Sequence, residues 1–304
     1  MISILYHSRD LDGFTSGAIA KYKFPEAALI GYDYGQDFPW HLIAEGSDVL
    51  MVDVSLPMAD MFRLAQHAGS FTWIDHHASA IYDYNSSLPY FDSPKMRINA
   101  VLEDGISACE GTWRHLFPGE PIPEPIKLLG EYDTWRNADR VRWENEILPF
   151  QFGMRMLCSS PETFPMIDVV LSPGALVDDI IASGKTILAY QREQYKTMCK
   201  KAFAGTFAGL RVICLNGVGS SDAFASVWDE EKHDAMLAFT YTGKLWTVSL
   251  YTTKDSVDCS AIAKANGGGG HKKAAGFQVD NIDKFIIGIK HTNWIKDIPC
   301  YKSV

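Results

Sequence analysis

The chain has 304 residues, 47% of them hydrophobic and 21% charged, enough apolar material for the cores of two domains and too much for a disordered protein. Its formal charge of −9 is uneven: residues 1–172 carry 12 Lys+Arg against 24 Asp+Glu, and residues 173–304 carry 16 against 13. An acidic first half excludes a protein that coats long duplex DNA, which needs a basic face, and leaves open metal chemistry on a small phosphorylated substrate.

No run of about 18 apolar residues predicts a transmembrane helix. His7, Arg9, Asp10 and Asp12 interrupt any signal-peptide pattern at the start. Six cysteines (Cys109, Cys158, Cys199, Cys214, Cys259 and Cys300) lack a C-x-x-C pair and read as buried thiols of a reducing compartment. A cytoplasmic location without a membrane partner is expected.

In chain order, Ile2–His7 reads as strand, Thr15–Tyr22 as helix, and Ala27–Tyr32 and Val49–Val54 as strands. Met58–His67 follows as helix and Phe71–Asp75 as strand. Strands separated by helices of about ten residues predict βαβ units and a mainly parallel sheet with helices on both faces. Ser107–Phe117 and Pro125–Trp135 read as helices, the second after the bend "PGEPIPEP", and Arg140–Met156 as mixed helix. Around Ser172-Pro173-Gly174 the pattern changes. Apolar positions from Leu176 to Phe203 suit one long amphipathic helix, with Gly184 as a point of kink or break. Leu210–Leu215, Ala235–Tyr241 and Leu245–Tyr251 read as strands, the last two joined by Thr242-Gly243-Lys244. The expected organisation is an α/β domain over 1–172, a helical linker over 173–204 and a smaller α/β domain over 205–304.

In open parallel sheets, ligands gather beyond the carboxyl ends of the strands. His7, Asp10 and Asp12 follow the first strand, Asp53 ends the third predicted strand in "VLMVDVS", and Asp75, His76 and His77 end "FTWIDHH". A D-x-D after a strand is, alone, an ordinary turn or helix cap. Three strand ends delivering acids and imidazoles to one edge are different, because such crowding suppresses ionisation unless divalent cations offset it. The acids therefore read as metal ligands.

"HSRDLDG", "VDVS", "IDHH" and "GEYDTW" resemble the successive motifs of the DHH phosphoesterase family, and "VDCSAIAKANGGGGHKKAAGF" resembles the glycine-rich signature of its associated C-terminal domain. The likeness runs from Tyr6 to Phe277. It implies two Mn²⁺ ions, with Mg²⁺ or Co²⁺ as substitutes: one held by His7, Asp10 and Asp53, the other by Asp12, Asp53, His76 and Asp133. His77 would face the substrate phosphate and Asp75 would orient a histidine. The interval from His7 to the D-x-D is shorter than in many relatives. A metal-bridging hydroxide would attack phosphorus in line.

Gly268, Gly269, Gly270, His271 and Lys272 would contact the substrate, with a helix opening after the glycines to add its dipole, and Lys254 is a further phosphate partner. Tryptophans such as Trp73, Trp113, Trp228 and Trp246 read as core. "DEEKHD" at 229–234 reads as a solvated charge run. The resemblance implies a nanoRNase- or exonuclease-like phosphodiesterase of short single-stranded oligonucleotides. The alternatives are a phosphoadenosine-phosphate phosphatase or (cyclic) dinucleotide phosphodiesterase, a pyrophosphatase or exopolyphosphatase, and a non-catalytic nucleotide-binding module. A homodimer is left open.

Overall fold

A computed structural model describes residues 2–88, 98–171, 174–217, 220–281 and 290–291. Ser172, Pro173 and Cys300 lie outside the described residues. The chain divides into two units, Met1–Leu188 and Ala189–Val304.

The first unit contains β1 (Ile2–His7), α1 (Leu11–Lys23), β2 (Ala28–Tyr32), β3 (Asp48–Val52), α2 (Met58–His67), β4 (Ser70–Asp75), α3 (Ala78–Ser87) and β5 (Asn99–Leu102). The order is β2-β1-β3-β4-β5 and every pairing is parallel. Successive side chains point to opposite faces of a strand, and both faces here are covered. Ile4, Tyr6, Leu50, Val52 and Ile74 enter one core, with Ile19, Trp113, Leu128 and Phe150. Leu5, Met51 and Trp73 enter the other, with Met61 and Leu64 of α2.

After β5 come α4 (Ala108–Leu116), α5 (Glu124–Asp133) and a short α6 (Arg140–Arg142). A π-helical turn, Trp143–Ile147, leads from α6 into α7 (Leu148–Leu157). The long helix α8 (Ala175–Cys199) continues through Gly184 without a break. A Cβ at Gly184 would fall 1.8 Å from the carbonyl oxygen of Pro149, so the glycine serves the close approach of α8 to α7. The helix stops before Phe203, which instead opens a strand.

The second unit holds a seven-stranded sheet. Its elements are β6 (Phe203–Phe207), β7 (Leu210–Asn216), β8 (Ala235–Tyr241), β9 (Trp246–Tyr251), α9 (Cys259–Ala265), β10 (Gly269–Gly270), β11 (Ala274–Val279) and β12 (Lys290–His291). The order is β10-β11-β9-β8-β7-β6-β12, and only the β7–β8 pairing is parallel. Val212, Cys214, Leu237, Val248, Leu250 and Phe277 pack on one face beside Cys259 and Ala263 of α9. The five described cysteines are buried thiols, none in a disulfide. No helix among the described residues is long and apolar enough to cross a membrane.

Candidate metal centre

The strand register sets the site. Tyr6 lies beside Val52, and Val52 beside Ile74. The next residues, His7, Asp53 and Asp75, therefore stand in one row at the carboxyl edge of the sheet. Asp53 has φ 60° and ends β3, so the strand stops short of the predicted Val54. Its N–H still donates to Ile74 O at 2.9 Å.

Helix α1 begins at Leu11, earlier than predicted, because Asp10 caps it and accepts from Gly13 N–H at 3.0 Å. That start places Asp12 in the first helical turn. A Cβ at Gly13 would fall 2.0 Å from His7 O, so the glycine of "DLDG" lets α1 press against the end of β1. The N-terminus of α4 holds Asp12: Ala108 N–H donates to Oδ2 and Cys109 N–H to Oδ1, both at 2.8 Å. Ser107 and Glu110 form a capping box around that N-terminus, and Arg136 pairs with the buried Glu110. Asp133 arrives as the last residue of α5.

Two of the ligand groups that result are His7–Asp10–Asp53 and Asp12–His76–Asp133; a third, Asp53–Asp75–His76–His77, shares Asp53 and His76 with them. His7 Nδ1 lies 3.2 Å from Asp10 Oδ2 and 3.5 Å from Asp53 Oδ2. His76 Nε2 lies 3.5 Å from Asp12 Oδ2, 3.4 Å from Asp53 Oδ1 and 3.3 Å from Asp133 Oδ2. Asp53 thus turns one oxygen to each of the first two groups. Both of its oxygens and His7 Nδ1 are buried and lack a hydrogen bond. Burying a carboxylate without partners is expensive, and these orphaned atoms are those a cation would satisfy, so the residues fit divalent metal.

The electrostatics agree. Burial, then the charge of Asp12, raises the Asp53 carboxyl well above the usual range. Withdrawal from water, then Asp12 and Asp53, does the same to Asp133. At His7, burial would lower the imidazole, but Asp10 and Asp53 outweigh it and push it up to about 11. The cluster holds protons that a metal would displace.

Asp75 positions the two histidines that follow it. Its Oδ1 accepts from His76 N–H and is joined to His77 Nδ1, each at 2.7 Å. Asp33 and Tyr34, absent from the sequence reading, also border the site. His7 Nε2 is 3.4 Å from Asp33 Oδ1, an arrangement that would fix the ring with Nδ1 toward the acids. The Tyr34 ring lies 5.5 Å from His7 and 6.5 Å from His77, and its hydroxyl accepts from Ser55 N–H at 3.2 Å. Asp33 follows the end of β2, so the strand-end rule applied to "GYDY" would have found it.

In the second unit the helix expected after the glycines is absent: α9 precedes them and β11 follows, so no helix dipole points out of that segment. A Cβ at Gly268 would fall 2.1 Å from Gly276 O, which ties that glycine to packing on β11. His271 and Lys272 are exposed in the turn between β10 and β11, where His271 N–H donates to Ala274 O at 2.7 Å. Lys254, expected at a phosphate, instead pairs with Asp234 at 2.7 Å. Asp234 is accordingly no part of a solvated run. Trp73 and Trp113 are core, while Trp228 and Trp246 are partly buried.

No family model matches the sequence. The uncharacterized protein R106 of Acanthamoeba polyphaga mimivirus is 24% identical over 311 residues, covering 92% of this chain and 68% of that protein. Oligoribonuclease NrnB of Bacillus subtilis (strain 168) is 23% identical over 306 residues, covering 90% of this chain and 72% of its own length. Among solved structures, the pGpG-specific phosphodiesterase PggH of Vibrio cholerae is 13% identical with a TM-score of 0.50, covering 99% of each chain. That last likeness is one of fold.

Proposed function

We propose that the chain is a DHH-family phosphoesterase, as its likeness to oligoribonuclease NrnB supports, and a manganese-dependent phosphodiesterase acting on short single-stranded oligonucleotides. The observation that carries this reading is Asp53, a buried carboxylate with one oxygen toward the His7–Asp10 pair and the other toward His76. A single acid shared by two ligand groups is what two closely spaced cations require. Imidazole and carboxylate donors together suit Mn²⁺ better than Mg²⁺, which takes oxygen and water.

His7, Asp10 and Asp53 would hold one ion, and Asp12, Asp53, His76 and Asp133 the other. When bound, such a pair lowers the pKa of a shared water and offsets the charge of the phosphate. The protein's own groups do the rest. The α4 N-terminus holds Asp12 in place through the Ala108 and Cys109 N–H groups. Asp75 shifts His77 toward its charged form against the opposing effect of burial, which suits His77 to donate a proton to the leaving oxygen or to stabilise charge on the phosphate. Substrate contacts are assigned to His77 and, in the second unit, to Gly268, Gly269, Gly270, His271 and Lys272. Residues 1–172 serve as the catalytic domain, 173–204 as the linker and 205–304 as the substrate-binding domain.

The oligonucleotide class is supported by the acidic first half, which disfavours long polyanions, and by the relative described as an oligoribonuclease. The test is a substrate panel with Mn²⁺: RNA oligonucleotides from dinucleotide length upward, matching DNA, phosphoadenosine phosphate, cyclic dinucleotides and pyrophosphate. Fastest turnover of the shortest RNA supports the proposal. A clear preference for pyrophosphate or a phosphomonoester would replace it.

A further inference from the structure

Trp135 occupies a position where helices usually place glycine. Helix α5 closes with two bonds, Arg136 N–H to Glu131 O at 2.9 Å and Trp135 N–H to Tyr132 O at 3.1 Å. This is the glycine-type cap, and it forces the residue after the helix's last turn into the left-handed region. Trp135 has φ 56°. A bulky L-residue there carries a steric cost that glycine would not.

The Trp135 ring meets Tyr132 edge-on, with centroids 6.3 Å apart, and Trp143 edge-on at 5.1 Å, yet Trp135 stays 50% exposed whereas Trp143 is buried. Strain of this kind persists where it serves a site.

The indole lines a cavity of about 400 Å³ whose charged neighbours are already engaged. Arg136 pairs with Glu110, Arg142 with Glu131, and Asp139 caps α6 through Val141 N–H and Arg142 N–H. Beside these engaged groups the cavity is lined by the Trp135 indole and by Asn137. That chemistry suits a neutral, planar group with a hydrogen-bonding edge and does not suit a phosphate. Trp135 is also only two residues from Asp133, so their Cα atoms lie within about 7 Å, a span that one ribose covers.

We propose that Trp135 is a stacking platform for a nucleobase of the substrate, the base of the nucleotide whose phosphate faces the Asp12–His76–Asp133 group. This deepens the phosphodiesterase reading and rests on it for the identity of the ligand.

The test measures the Kd of adenosine 5′-monophosphate and of ribose 5-phosphate, with Mn²⁺ present, for the wild-type protein and for Trp135→Gly, Trp135→Asn and Trp135→Phe. Glycine and asparagine both accept the left-handed backbone, so the first two variants remain folded. The wild-type protein should prefer the nucleotide by about 10-fold, within the range of base–aromatic stacking. Trp135→Gly and Trp135→Asn should lose the preference, and Trp135→Phe should recover most of it. Equal or undetectable binding of the two probes by the wild-type protein, or a preference that survives in the glycine variant, would overturn the platform. Oligonucleotide cleavage assayed in parallel separates the two claims. A Trp135-dependent preference without cleavage keeps the platform and removes the phosphodiesterase reading, and cleavage without the preference does the reverse.

Discussion

Asp75 and His77 are joined at 2.7 Å through Nδ1, and the same Asp75 oxygen accepts His77 N–H at 3.1 Å. For each group, burial alone would favour the neutral form, and the partner outweighs it. The His77 imidazole is held above its ordinary range and the Asp75 carboxyl below its own. A histidine that must be protonated works up to its own pKa, so the pair extends activity toward higher pH. Asp75→Asn should lower kcat by about 10–100-fold, as loss of a group that orients a site histidine does. It should also move the falling limb of the kcat–pH profile to lower pH. A profile unchanged from wild type would show that Asp75 only shapes the backbone at His76 and His77.

The Asp53 carboxylate predicts how the metal-free protein responds to pH. Asp53 and Asp133 keep protons in the folded state that they lose near pH 4 when unfolded, and His7 keeps its own up to about 11. Above about pH 4 the folded state therefore binds more protons, and the stability of the first unit should fall as pH rises. Mn²⁺ should raise the unfolding temperature, and more at pH 8 than at pH 6, because the ligands must be deprotonated. In Asp53→Asn the metal-free protein should melt no lower than wild type at pH 8, since a repelled charge is removed and asparagine tolerates positive φ. The Mn²⁺ increment and hydrolysis should both disappear. Thermal melts in EDTA and in Mn²⁺ across this pH range decide the matter, and a full Mn²⁺ increment in Asp53→Asn would count against a shared carboxylate.

Much of this site is legible in sequence because parallel sheets deliver strand ends to one edge, and the apolar runs before His7, Asp53 and Asp75 are unmistakable strands. Asp133 is legible only through family resemblance, since a helix-terminal acid has no local signal that separates a ligand from a cap. The α4 support of Asp12 depends on a contact between residues 96 positions apart, which no local pattern encodes. In the second unit, β11 ("AAGFQV") escaped detection because its small residues blur the two-residue period, and its partner β10 is only two glycines. The assignment of a helix there failed because the glycines close onto a strand. Charge composition does not show that Asp234 lies 2.7 Å from the Lys254 ammonium.

Gly13 offers a test of backbone fit in the first motif. A methyl group at this position would meet His7 O at 2.0 Å and His7 Cβ at 2.7 Å, and both belong to a strand that cannot yield freely. Gly13→Ala should favour α1 by intrinsic propensity, yet overpacking at this contact should cost about 1–3 kcal/mol. The expected result is a lower unfolding temperature together with weaker metal binding, because His7 moves with its backbone. A variant more stable than wild type, as helix propensity alone predicts, would show that the α1–β1 approach has slack.

Asp234 carries a separate prediction for the second unit, one independent of metal. Arg211 grips it from Nε at 3.0 Å and Nη2 at 2.7 Å, Arg211 N–H donates to it at 3.0 Å, and Lys254 Nζ lies 2.7 Å away. Arg211 foremost, with help from Lys254, holds the carboxyl far below its ordinary range against the opposing effect of burial. A depressed folded pKa contributes stability that is present above the unfolded value, near pH 4, and is lost as pH falls below it. Asp234→Asn should therefore be less stable than wild type at pH 7, and the gap should close toward pH 2. Added salt should narrow the gap at neutral pH, because the pairing is partly exposed and screened. Lys254→Met should reproduce part of the stability loss while leaving KM unchanged, since its ammonium is committed to Asp234. Denaturant titrations at the two pH values read the first effect. A raised KM in Lys254→Met with unchanged stability would return Lys254 to the substrate.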